Sequence, residues 1–347
     1  MARSVSRLER ARREGARAAR REHLRLDTPM DRQVDVFGII ERAGIWLMFQ
    51  PLPRLFGAYK REDAAAGIII NSHHPVSLQR STAAHEYGHH VLQHKESIDL
   101  EESITGPPGQ LSEQEAAAQM FAADFLMPLQ LVNHMLRRVG LPIHPPRLTP
   151  SDVYKLSLYL GASYAATITR LVALKKIGPA VGGRLRRQQP IAIKETLGGK
   201  RPTEARADVW IVEEPDAGRE LTPHVNDEVH VLLGETPSSG YVWRLETPSA
   251  DTRSGNDGAS NLLLVRDDFE LTDSSQEEVY GSTGLHRLVF KVIGPGPCKL
   301  RVAKSRPWQS NTPPASVFEA YVKAVERPTG TADRGLSVHQ KELLSAA

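Results

Sequence analysis

A single cysteine, Cys298, in a chain of 347 residues excludes any intrachain disulfide and any zinc site built from several thiolates. A metal bound here must use His, Asp or Glu, and 13 His are available. No stretch approaches the ~18 consecutive apolar residues of a spanning helix, and the N-terminus lacks the apolar core of a signal peptide. Neither membrane insertion nor ordinary secretion is therefore expected, and the cytoplasm is the default compartment. Aromatics are scarce at 6%, but 40% hydrophobic and 24% charged residues is globular composition, and the length suits two or three domains. No internal repeat is visible.

A strong charge of either sign is also lacking, since 44 Lys and Arg against 41 Asp and Glu leave +3. The excess is local: residues 1–25 hold nine Arg against three Glu, so the remaining chain is slightly acidic. Such a run could touch nucleic acid or an anionic membrane, or resemble a transit peptide. The reading taken is a solvated, partly helical lead over residues 1–30.

From Asp31 the text becomes globular. Val34, Val36, Phe37, Ile40 and Ala43 recur near helical spacing, Ile45–Phe49 and Gly67–Asn71 read as strands, and a helix capped at Ser81 or Thr82 runs through His85 to about His94. A Gly/Pro loop at 106–109 follows, then a helix from Ser112 that stops before Pro128. Thr149-Pro150 opens two helices around Gly161. Residues 184–206, rich in Arg, Gln, Gly and Pro without a period, have linker composition. Beyond them Val209/Ile211, Val229/Val231/Leu233, Leu288/Phe290/Val292, Leu300/Val302 and Phe318/Ala320/Val322 alternate as strands of an all-β sandwich, with residues 251–260 as a loop and 327–347 as a tail.

The sharpest motif is His85-Glu86-Tyr87-Gly88-His89. On a helix, positions i and i+4 share a face, so both imidazoles can meet one cation while Glu86 stays free to act on a water. His90 and His94 are off that register. A catalytic zinc usually has a third protein ligand. The helix from Ser112 offers Glu113 and Glu115, followed by alanines small enough to allow close approach, but Ser112-x-x-Glu115 is equally a capping box.

Arg80-Ser81-Thr82-Ala83-Ala84-His85-Glu86-Tyr87-Gly88-His89 and Glu115-Ala116-Ala117-Ala118-Gln119-Met120-Phe121-Ala122-Ala123-Asp124-Phe125-Leu126-Met127-Pro128 resemble, in order and separation, the two motifs of the ImmA/IrrE-type metallopeptidases. The resemblance covers residues 31 to about 178, and residues 31–183 form the expected domain. It implies an α+β zincin-like fold with a helical extension and one Zn²⁺ on His85, His89 and Glu115. It further implies Glu86 as catalytic base, with protein or peptide substrates that include regulators or repressors. The chain departs from the family at Gln119, Ser81 and Ala83, none of which removes a ligand. An oxyanion donor is not identified; Tyr59, His73 and His90 are candidates. Helices 150–176 could form a helix-turn-helix, but Ser163–Leu174 is poor in Lys and Arg, so a packed helical subdomain is expected and nucleic acid is not an expected partner.

Thr236-Pro237-Ser238-Ser239-Gly240-Tyr241-Val242-Trp243, then Gly281-Ser282-Thr283-Gly284, then Arg306-Pro307-Trp308 resemble the three loops of the chagasin family of cysteine-peptidase inhibitors, over residues 207–326. The resemblance implies an immunoglobulin-like sandwich whose loops wedge into a papain-like peptidase, with Pro237, Ser238, Ser239, Gly240, Gly281, Gly284, Arg306, Pro307 and Trp308 at the contact. Tight Pro/Gly loops and a rigid Trp suit such docking because little ordering entropy is lost. The expectation is a zinc metalloendopeptidase joined to an inhibitor-type domain. The alternative is a non-catalytic inhibitor or binding scaffold with a structural metal site.

Overall fold

The computed structural model describes residues 2–62, 65–94, 97–100, 112–145, 147–202, 204, 206–246, 261–271, 283–309, 312–328 and 330–331. The expected loops at 106–109 and 251–260, and Gly281, lie outside the described residues. The chain divides into two compact units, one of residues 1–188 with 328–347 and one of residues 189–327. No helix among the described residues is long and apolar enough to cross a membrane.

The first unit is helical with a small sheet. It begins with α1 (Ala2–Leu26) and α2 (Val36–Arg42), the latter capped by the Asp35 carboxylate accepting from the Gly38 amide at 3.1 Å. Strands β1 (Trp46–Gln50), β2 (Leu55–Glu62) and β3 (Ala65–Asn71) lead into α3 (Val76–Val91) and β4 (Ser97–Leu100). The sheet order is residues 330–331, β1, β3, β2, β4, with β1 and β3 parallel in the register Leu47↔Ile68 and Phe49↔Ile70. Five helices follow: α4 (Glu113–Leu126), α5 (Leu129–Arg138), α6 (Pro150–Leu160), α7 (Tyr164–Ala173) and α8 (Pro179–Leu185).

Two charged side chains fasten the helices to one another. Arg80 on α3, 7% exposed, donates to the carbonyls of Gly161 at 2.9 Å and Val34 at 2.8 Å, joining α3 to the α6–α7 turn. Gly161 sits at φ +61°, and a Cβ there would fall 2.4 Å from Gln33 Oε1, so conformation and space both demand glycine. Arg170 on α7 donates to the Met127 carbonyl at 2.7 Å and pairs with Asp124 at the end of α4. At 5% exposure it serves packing, not an outward basic face.

The second unit is rich in sheet. A short helix α9 (Pro190–Gly198) precedes β5 (Val209–Glu213), β6 (Glu220–Leu221), β7 (Glu228–Glu235), β8 (Val242–Leu245), β9 (Leu262–Leu271), β10 (Gly284–Val292), β11 (Gly296–Ser305) and β12 (Ser316–Ala324). They form two four-stranded sheets, ordered β5-β7-β10-β9 and β6-β12-β11-β8. All five alternating segments of the sequence are strands here, burying Val229, Val231, Leu233, Leu288, Phe290, Val302 and Phe318.

Three expectations are corrected. The solvated lead is a docked helix: Ala11, Ala18 and Ala19 on α1 are buried, and Ala11 packs with Ala116 and Ala117 of α4. The approach is close enough that a Cβ on Gly15 would fall 2.0 Å from the Ala117 carbonyl oxygen. Composition hid this because alanine and glycine register as weakly apolar, although a seam of small residues lets two backbones meet. The linker contains α9, held because Lys194 donates to the Ala207 carbonyl at 2.6 Å and Arg287 to that of Leu197 at 3.2 Å. The tail contributes Gly330–Thr331, which pair antiparallel with β1 opposite Phe49 and Met48.

Candidate metal centre and loop surface

Helix α3 has no apolar stripe of its own, and its middle is buried on every side, from Thr82 to His89. Burial of this kind keeps polar side chains only when each has a purpose inside. His85 is 9% exposed, His89 1% and Glu86 0%. The i, i+4 spacing brings His85 Nε2 within 3.0 Å of His89 Nε2. From α4, Glu115 reaches the same point: its two oxygens stand 3.2 Å from His85 Nε2 and 3.4 Å from His89 Nε2. The donor atoms of these three residues lie within 4.8 Å of one another, and they form the one such group among the described residues.

Glycine makes the convergence possible. A Cβ on Gly88 would sit 3.0 Å from Phe121 Cδ1, so α3 and α4 approach closely enough that a larger residue would push the Phe121 ring aside. Of the capping box only the Ser112 half forms, and it leaves the Glu115 carboxylate available to the imidazoles. Its backbone amide donates to Ser112 Oγ at 3.1 Å, and its carboxylate points to the imidazoles.

The donor set fits a divalent cation. Burial, and then the neighbouring His85, hold the His89 pKa well below its usual value, so His89 is a neutral imidazole with a lone pair to offer. Burial would raise the Glu115 pKa, but the hydrogen bond from His85 and the nearby imidazoles outweigh it and hold it low. Once His85 Nε2 gives up the proton it shares with Glu115, two imidazole nitrogens and an ionised carboxylate would meet at one point, which is the arrangement a borderline-soft cation satisfies. His89 Nδ1 lies 3.2 Å from His94 Nδ1. With Nε2 as a metal ligand, Nδ1 would carry the ring proton, and this contact would hold that tautomer.

Sequence reasoning missed three supports. His94, off register on the helix, reaches His89 because the chain turns after Val91. Tyr87 hydroxyl donates to Glu22 of α1, which also takes two hydrogen bonds from Arg25. Gly57 of β2 passes over Glu86, where a Cβ would lie 3.6 Å from Oε1 but 2.6 Å from Thr82 Cγ2. The oxyanion candidates fare differently: Tyr59 hydroxyl and His90 Nδ1 bond to each other at 3.1 Å, and His73 is exposed at the β3–α3 turn. None joins the cluster of His85, His89 and Glu115.

The second unit carries a built loop surface. Pro237–Ser239 form a single 3₁₀ turn ended by Gly240 at φ +74°, and Ser239 Oγ donates to the Thr236 carbonyl at 2.6 Å. Trp308, 69% exposed, lies against that glycine: a Cβ on Gly240 would be 2.6 Å from its ring. The Arg306 guanidinium stands 4.5 Å over the Tyr241 ring, so the two loops brace one another. Beneath them, Glu235 accepts from the Trp243 amide at 2.8 Å and lies 2.9 Å from His286 Nδ1, whose Nε2 is 2.7 Å from Asp267. Gly284 is placed differently from the expected loop position. It opens β10 and is covered by Phe269, whose ring a Cβ would meet at 2.3 Å.

The first unit is thus helical with a buried His-His-Glu cluster, and the second is sheet-rich with a braced Trp loop. The comparisons specify both: residues 40–171 match the IrrE N-terminal-like domain of Peptidase_M78, and residues 222–322 match the chagasin family peptidase inhibitor I42. Both resemblances read from the motifs are thereby borne out. Among solved structures, the cysteine protease inhibitor EhICP2 of Entamoeba histolytica is 19% identical, covering 34% of this chain and 97% of its own at a TM-score of 0.27. The Leishmania mexicana inhibitor ICP is also 19% identical, covering 34% and 90% at 0.23. A search of curated proteins gives no match.

Proposed function

We propose that residues 31–183 form a zincin-like, zinc-dependent endopeptidase of the HExxH type, and that residues 207–326 form an immunoglobulin-like sandwich that inhibits papain-type cysteine peptidases. The observation that carries the first half is the convergence of His85 Nε2, His89 Nε2 and the Glu115 carboxylate within 4.8 Å, beside a fully buried Glu86. One Zn²⁺ held by these three residues would supply a Lewis acid for the scissile carbonyl and bring the pKa of water toward roughly 7. Glu86 then takes the proton from the attacking water and passes it to the leaving amine. His94 keeps His89 in the ligating tautomer, and Glu115 offsets the cation's charge. The proposed substrates are proteins, regulators or repressors among them, and the proposed compartment is the cytoplasm, in keeping with a lone cysteine.

In the second half, Pro237, Ser238, Ser239 and Gly240 with Arg306, Pro307 and Trp308 make the wedge, while Gly284 supports it from the strand; the sequence also assigns Gly281 there. The braced, exposed Trp308 favours a second reading, in which inhibition is the working activity and the metal is structural. Glu86→Gln separates the two. Loss of zinc-dependent proteolysis with zinc still bound supports the peptidase. Papain inhibition surviving in a chain that never cleaves a protein would favour the second reading.

A further inference from the structure

Docking of α1 has an effect on its charges that composition does not reveal. A frayed Arg-rich segment spreads its cations in all directions, whereas a helix fixed along one seam aligns them. The buried residues of α1 are Ala11, Gly15, Ala18 and Ala19, followed by Glu22 and His23. At 100° per residue, Arg10, Arg13, Arg17, Arg20 and Arg21 fall on the opposite face, and all five are exposed. Arg10, Arg13, Arg17 and Arg21 line one furrow with Glu9 and Glu14. From Arg10 to Arg21 the row runs about 16 Å at 1.5 Å per residue.

We propose that this outer face of α1 is a docking surface for the phosphate backbone of duplex DNA. Guanidinium is a planar fork that meets phosphate oxygens two at a time, and a helix fixed along one seam presents these forks in a row, with Arg13 3.9 Å from Glu9. The proposed contacts are to phosphate, which carries no sequence information, so binding is expected to be independent of sequence. A membrane surface is a poorer fit. Helices that lie in a bilayer interface present an apolar face to it, and the small-residue face of α1 is spent against α4, which leaves Leu24 as the large apolar side chain on the helix's outer side.

The test is fluorescence anisotropy of the full chain with a labelled 30-base-pair duplex of random sequence, titrated at several salt concentrations. Four phosphate contacts give a slope of log K against log[salt] near −3.6, which is about a 150-fold loss of affinity between 50 and 200 mM salt. Replacing Arg10, Arg13, Arg17 and Arg21 together by Gln keeps helix propensity nearly constant. It is expected to remove that slope while zinc binding and thermal unfolding stay unchanged. Should the fourfold variant fold poorly, Arg17→Gln alone should reduce the slope by about 0.9. No duplex binding at 50 mM salt, an unchanged slope in the variants, or binding confined to vesicles of 30% phosphatidylserine would each overturn the proposal.

Discussion

Gly15→Ala tests whether α1 belongs to the folded metal unit, because the two possibilities predict opposite signs. In a solvated helix, replacing Gly by Ala stabilises by about 1 kcal/mol. In the docked helix the new Cβ would stand 2.0 Å from the Ala117 carbonyl oxygen, 2.9 Å from its carbon and 3.0 Å from the Phe121 amide nitrogen. These are backbone atoms, so no rotamer change relieves the overlap and α1 must lift from α4. Overpacking costs about 1–3 kcal/mol, and a clash with backbone atoms belongs at or above the upper end of that range, which leaves a net loss of about 2 kcal/mol or more after the propensity gain. For a unit of this size that lowers Tm by about 3–10 °C. Calorimetry of the full chain identifies the relevant transition as the one that zinc raises. Ala117 lies two residues from Glu115, so zinc affinity in the variant should also fall, by about tenfold or more. Gly183 in α8 supplies the control, since nothing lies within 4 Å of a Cβ there and Ala should stabilise. A higher Tm with unaltered zinc affinity in Gly15→Ala would refute the docked seam.

Other outcomes follow from the same contacts. Glu115→Ala should abolish stoichiometric zinc by metal analysis, and Glu86→Gln should retain the metal while losing proteolysis. Phe121→Ala removes a fully buried ring from the α3–α4 contact and should cost about 3–5 kcal/mol in denaturant unfolding. Gly240→Val combines a disfavoured φ with displacement of Trp308, so papain inhibition should weaken by at least tenfold while the second unit loses about 1–3 kcal/mol of stability. Glu228 has its pKa lowered chiefly by the hydrogen bond from His230. In the acid range the unfolded chain therefore binds more protons than the folded one, so the second unit should lose stability as pH falls below about 4. Glu228→Gln should flatten that acid limb in pH-dependent urea unfolding.

What the sequence revealed and concealed has a physical pattern. The i, i+4 imidazoles were legible because helix geometry alone sets their spacing, and Thr149 and Gly161 announced the ends of α6 by cap chemistry that structure reproduces as a capping box and a left-handed residue. Strands with one buried face were legible by alternation. Other strands were not, among them β2 and β9: in β2, Gly57 interrupts the pattern before a charged end, and β9 exposes Leu263, Val265 and Leu271 so that its alternation has little contrast. The third ligand could not be chosen by local reasoning, because Ser112-x-x-Glu115 predicts the same helix whether the carboxylate caps or ligates. Its choice depends on where α4 meets α3, which is a tertiary fact.

The same limit explains why α1 was misread, and its placement changes what the metal site consists of. Tyr87 lies between His85 and His89 on α3 and is 1% exposed, so its hydroxyl needs a partner inside. Glu22 of α1 provides it, and His23 stacks on Phe125 of α4 at 4.7 Å. Helix α1 therefore grips both ligand-bearing helices, one through a buried hydrogen bond and the other through an alanine seam and a ring stack. Two helices that must hold three donor atoms within a few tenths of an ångström gain little precision from their own contact, since Gly88 against Phe121, with Tyr87 against Phe121 and Phe125 at ring-centroid distances of 5.9 and 5.7 Å, forms one patch about which α4 could rotate. A third helix touching both removes that rotation, and the fixed distance between α3 and α4 is what lets a carboxylate as short as Glu115 meet two imidazoles.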